Sequence, residues 1–131
     1  MPNQTIPVTI TFNYNNGSPT WTAPNVVPVN HGEIDTIKWS LVTVGVPAGA
    51  SARFAMSNPI QFKVINQNGV NSATWGGPAP TRVSDTVVQV TDDNTASGPT
   101  KHYFYSINVE VVSGSTVTPY SKDPEVENVG G

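Results

Sequence analysis

Residues 101–112 set the terms for the rest of the chain. Tyr103, Tyr105, Ile107, Val109 and Val111 stand at every second position, and Ser106, Asn108 and Glu110 stand between them. A β-strand turns successive side chains to opposite faces, so this rhythm makes one apolar ridge for a core and one polar ridge for water. It predicts a central strand of an antiparallel sandwich. Pro and Gly, 12 and 11 of 131 residues, break the remainder into windows too short for most helices. Val and Thr recur throughout while Leu occurs once, at Leu41. Branched side chains lose rotamer freedom in helices and pack well on a pleated surface, so the expected class is all-β.

Taken in order, Ile6, Val8, Ile10, Phe12 and Tyr14 alternate with polar residues and predict a first strand. Pro7 cannot donate to a ladder, which places the start of that strand at an edge or outside the pairing. Asn15-Asn16-Gly17 predicts a turn that needs positive φ. Residues 20–29, with Pro24 and Pro28, read as irregular and extended. Ile37, Trp39 and Leu41 alternate, and Val42 and Val44 then shift the phase, as a β-bulge would. Short strands are expected at 53–56 and 60–65, parted by Asn58-Pro59, and a turn at Asn66-Gln67-Asn68-Gly69. Residues 72–75 suggest a short edge strand, and residues 83–91 a longer one with Val88 and Val90 inside. Asp92-Asp93-Asn94 reads as part of a long turn. A hairpin at Ser113-Gly114-Ser115 returns the chain along 116–120. The acidic extension 122–131 can add an edge strand through Val126 and Val129. Roughly seven to nine strands in one domain, 1–131, indicate a Greek-key β-sandwich.

Two stretches carry a resemblance. Ile37-Lys38-Trp39-Ser40-Leu41 resembles the third strand of immunoglobulin-like domains, where a Trp fills the space between sheets. Tyr103-Phe104-Tyr105-Ser106-Ile107 resembles their sixth strand, with Ile107 in the place of the inward cysteine of antibody domains. The resemblance implies aliphatic packing where those domains have a cross-sheet disulfide. More narrowly, Thr81-Arg82-Val83-Ser84-Asp85 and Ser121-Lys122-Asp123-Pro124-Glu125 make the C-terminal half similar to small bacterial proteins of no assigned function, a likeness that brings no catalytic residues.

Composition excludes several classes. There is no Cys, so disulfides, thiolate metal sites and cysteine nucleophiles are out. Type 1 copper fails for the same reason, although His31, His102 and Met56 are present. The six Lys and Arg are scattered and the net charge is −3, which argues against nucleic-acid binding. No stretch approaches the roughly 20 apolar residues of a membrane-spanning helix, and the N-terminus lacks the basic and apolar regions of a signal peptide. The expected location is cytoplasmic by default, with a composition like that of surface proteins.

For chemistry, His31, His102 and the carboxylates are the available bases, and no Gly-x-Ser-x-Gly elbow is present. Glu33/Asp35 and Glu125/Glu127 are carboxylate pairs at strand spacing, commoner as solvated acids than as acid–base pairs. No enzyme is expected, and no cofactor. Asp92, Asp93 and Asn94, with Asp85 upstream, offer hard oxygen ligands for Ca²⁺, although turn residues of these types also cap local backbone. Trp75, before Gly76-Gly77-Pro78, and Trp21 are candidates for stacking on a sugar ring; capping the end of a sandwich is the commoner role. Asn3-Gln4-Thr5 and Asn16-Gly17-Ser18 match the glycosylation acceptor pattern, which bears only on secretion from a eukaryote. Charged residues are 11% of the chain against about 25% in typical soluble domains. Little electrostatic repulsion then opposes association, and few lysines guard the strand edges. The expected function is a non-enzymatic interaction or self-assembly module with a protein partner or other copies; the alternative is a carbohydrate-binding module using Trp75 and Trp21.

Overall fold

The computed structural model describes residues 3–63 and 73–131. The turn expected at Asn66-Gln67-Asn68-Gly69, with Val64, Ile65 and Ser72, lies outside the described residues. Among the described residues eleven strands, rather than the seven to nine expected, make two sheets, and there is no α-helix.

The first sheet contains β1 (Thr5–Asn13), β2 (Thr20–Thr22), β4 (Glu33–Val44), β7 (Thr81–Ser84) and β8 (Val87–Asn94), in the order β2-β1-β4-β8-β7. The second is built on β9 (Lys101–Ser113). One edge of β9 pairs with β10 (Thr116–Lys122) and then β11 (Glu125–Asn128); the other pairs with β5 (Ala50–Phe54) and β6 (Ile60–Lys63). β3 (Val26–Val29) lies outside β11.

Inward side chains of both sheets share one cluster, with Ile10, Phe12, Ile37, Trp39 and Val88 from the first and Tyr105, Ile107, Val109 and Val126 from the second. Each such side chain removed from water contributes about 1.5–3 kcal/mol. Trp39 Nε1 donates to the Tyr105 hydroxyl across the cluster at 3.1 Å. The rings meet edge to face with centroids 5.4 Å apart. The two residues singled out by their immunoglobulin-like contexts thus face each other from opposite sheets.

Several expectations need correction. Both sheets are mixed rather than antiparallel, because β1 runs parallel to β4 and β11 parallel to β3. Prolines fit these pairings. The Gln4 carbonyl accepts from Thr36 N–H, so by alternation the Pro7 nitrogen points away from β4, toward an edge that β2 does not reach. The Val29 carbonyl accepts from Val129 N–H, which turns the Pro28 nitrogen to the free edge of β3. Residues 20–29 therefore form two short strands instead of an irregular segment.

β4 keeps its register with β1 through Val44, without the expected bulge, and Val42 and Val44 are exposed. The irregularity lies between Arg82 and Ser84 instead. Asp85 and Thr86 turn the chain between β7 and β8, so residues 83–91 are not one strand. Residues 73–75 form no strand, although Ala73 N–H donates to the His102 carbonyl. β11, expected at an edge, is enclosed by β9 and β3 with Val126 fully buried. Asn15, Asn16 and Gly17 all have positive φ, as their turn requires.

Candidate functional site

The site is built from polar residues in apolar phase. In β4 the inward positions that hold Ile37, Trp39 and Leu41 continue backward to Asp35 and Glu33. In β8 those that hold Val88 and Val90 continue forward to Asp92 and Asn94. β11 follows Val126 with Asn128. The register sets Asp35 opposite Asp92 and Glu33 opposite Asn94. One end of the interior is therefore polar.

Its members are deeply buried: Asp35 is 0% exposed, Asp92 1%, Glu33 6%, Asn128 7% and Asn94 8%. Some are well satisfied. Gln4 donates its backbone N–H to Asp35 Oδ1 at 3.2 Å and its side-chain amide to Glu33 at 2.8 Å. Asn94 Nδ2 donates to the carbonyls of Val29 and Val129, stitching the two sheets together. Asn128 Nδ2 donates to Asp92 Oδ1 at 3.0 Å. Other atoms have no hydrogen-bond partner among the described residues, namely Asp35 Oδ2, Asp92 Oδ2, Asn128 Oδ1 and His31 Nδ1. Three of these four are oxygens on residues linked through Asp92.

Burial pushes the Asp92 carboxyl from 3.8 up to about 6; the Asn128 hydrogen bond opposes this, and Asp35 and Asp93 add to it. The Tyr103 hydroxyl is raised as well, by burial and then by the nearby Asp92 charge. Burial lifts Tyr105 to about 12, against the bond from Trp39.

A cavity of about 430 Å³ opens onto this end, and Trp75, Asp92, Asn94, Lys101, Tyr103 and Asn128 are among its walls. Trp75 and the Asp92 segment thus meet, and Trp21 does not join them. Trp21 packs edge-on against Phe12, centroids 4.8 Å apart, on β2. Trp75 stacks on Phe62 at 4.2 Å, meets Tyr103 edge-on, and donates its indole N–H to the Pro78 carbonyl. It is a fixed wall of the cavity.

The four residues considered for Ca²⁺ do not converge. Asp92 and Asn94 belong to a strand rather than a turn and point inward. Asp93 points outward and accepts from Thr95 N–H and Oγ1. Asp85 is exposed and pairs with Arg82 at 2.6 Å. No three His, Asp or Glu side chains form a metal-binding group among the described residues. His102 is on the outer face of β9, 2.5 Å from Glu125. His31 precedes β4, and Met56 is exposed. Glu33 and Asp35, expected to be solvated acids, are instead buried in β4; Asn128 was missed as a site residue, although it too occupies an inward slot in a strand rhythm that can be read from the sequence.

No family model matches the chain, and no curated protein matches it either. Among solved structures it is similar to PixA, an inclusion body protein from Burkholderia cenocepacia J2315, with a TM-score of 0.51 and 10% identity. The superposition covers 100% of this chain and 97% of that one. At that identity the likeness is one of fold, shared with a bacterial all-β protein of nearly the same length.

Proposed function

We propose that this chain, a single domain over residues 1–131, is a non-enzymatic self-assembly module. In this reading its two sheets form an immunoglobulin-like β-sandwich, and copies associate through the outer face of the β2-β1-β4-β8-β7 sheet. The observation that carries it is the distribution of charge. Across that face the register aligns Thr5, Thr36 and Thr91, then Pro7, Lys38 and Gln89, then Thr9, Ser40 and Val87, with Thr11 and Val42 beyond. Lys38 and Asp93 are the charged residues among the outward positions of its five strands.

The outer face of the other sheet carries Arg53–Glu110, Lys63–Asp123 and His102–Glu125 ion pairs. Burying a hydroxyl and methyl surface against a copy of itself costs far less desolvation than burying those pairs. A symmetric contact also needs only one self-complementary patch. That the similar solved structure is of an inclusion body protein supports the reading.

Sedimentation velocity over a concentration series tests it. Self-association is expected in the wild type, and a Thr9→Lys/Val42→Lys variant should weaken it at least tenfold. Val117→Lys, on β10 of the other sheet, should leave it unchanged. A wild type that stays monomeric at millimolar concentration, or a Thr9→Lys/Val42→Lys variant that associates normally, contradicts it.

The cavity favours a second reading, a small polyhydroxylated ligand of the carbohydrate class. Trp75 and Tyr103 would form the apolar wall, and Asp92 Oδ2 and Asn128 Oδ1 would accept from ligand hydroxyls. Glycan-array binding lost in both Trp75→Ala and Lys101→Ala supports it. A blank array, or binding that survives both substitutions, removes it.

A further inference from the structure

We propose that Asp35, Asp92 and Asn128 form a binding site for a hard divalent cation of the calcium class at the base of the cavity. Asp35 and Asp92 are cross-strand partners on the same inward face, so their carboxyl groups are neighbours. Both are almost fully removed from water, and no ion pair involves either among the described residues. Lys101, the cationic side chain in the cavity wall, is exposed and forms none of those pairs. Two buried carboxylates without a counter-charge are among the costliest arrangements a core can hold.

Asn128 supplies the independent sign of a ligand. It comes from the opposite sheet, is 7% exposed, and fixes its orientation by donating Nδ2 to Asp92. Its Oδ1 is left without a partner, as are the Oδ2 atoms of Asp35 and Asp92. These three atoms only accept. A hydroxyl ligand could satisfy one or two of them, whereas a cation answers all three and the net negative charge together.

Carboxylate and amide oxygens are hard ligands of the kind Ca²⁺ takes, and calcium completes a shell of 6–8 oxygens with water. Asp92 and Asn128 border the cavity, which offers a path of entry and a source of water beside the three sealed oxygens. Asp93 and Asp85 are not part of the set, since one faces outward and the other pairs with Arg82. The site does not depend on whether copies associate.

The test is thermal unfolding of EDTA-treated, desalted protein at pH 7.5 with CaCl₂ added from micromolar to millimolar, in wild type, Asp35→Asn, Asp92→Asn and Asp93→Asn. The wild type and Asp93→Asn should gain several degrees in Tm in a saturating manner. Asp35→Asn and Asp92→Asn should fold, start at a higher Tm without metal, and lose the response. Isothermal titration of the wild type should give one Ca²⁺ per chain, a readout that stands even if a variant fails to fold. A wild type with no binding heat and no Tm change overturns the proposal. So does an equal Tm gain in Asp35→Asn and Asp92→Asn, or a wild type that responds to acidification alone, which would place a proton where the cation is proposed.

Discussion

The indole of Trp39 and the phenol of Tyr105 meet in the dry part of the interior, each fully buried, with the Tyr105 oxygen accepting the indole N–H. Asp92 is the opposite case, buried to a similar degree with one oxygen unpartnered. The consequence for stability has a definite sign. In the folded chain Asp92 keeps its proton up to about pH 6, while the unfolded chain loses it near 3.8. The folded state binds the proton more tightly. Stability from this group is therefore fully present below pH 3.8 and is lost as pH rises through 6. A difference of that size corresponds to about 3 kcal/mol. Urea unfolding in EDTA buffer should show wild-type stability falling by about that amount, relative to Asp92→Asn, between pH 4 and pH 7. Parallel pH profiles for the two proteins would show that Asp92 is not the titrating group.

At the scale of the strand, what was legible followed from alternation. Residues 101–112 read as a central strand because five inward positions in succession are apolar, and β9 is that strand with neighbours on both edges. The same rule, applied to polar residues, would have found the candidate site. Asp35 lies two positions before Ile37, Asp92 two after Val90, and Asn128 two after Val126. Asp92-Asp93-Asn94 reads locally as a turn because Asp and Asn favour turns. Pairing with β4 overrides that preference. Pairing partners were the illegible part. Nothing local in residues 5–13 shows that β1 lies parallel to β4, since parallel and antiparallel neighbours ask for the same side-chain rhythm. The enclosed position of β11 was hidden for a similar reason. A four-residue strand with one buried Val looks the same at an edge as inside a sheet, until β3 is seen to cover it.

Over the whole molecule the two outer faces differ in charge. One carries cross-strand ion pairs, and the other is a field of Thr, Ser and Val with exposed Val42 and Val44. That asymmetry was hidden in the composition, because 11% charge says nothing about where the charges lie until the register is known. Together with the polar pocket it gives the molecule two distinct regions, one that we propose meets other copies and one that we propose takes a small ligand or cation. The most direct test is methyl NMR with a soluble paramagnetic probe, recorded on dilute and on concentrated protein. The methyl groups of Thr9, Thr11, Val42 and Val44 should be bleached in dilute solution and shielded when concentrated, while those of Met56 and Val117 stay accessible throughout. Shielding that falls on Met56 and Val117 instead, or accessibility that is the same at both concentrations, would contradict assembly through this face.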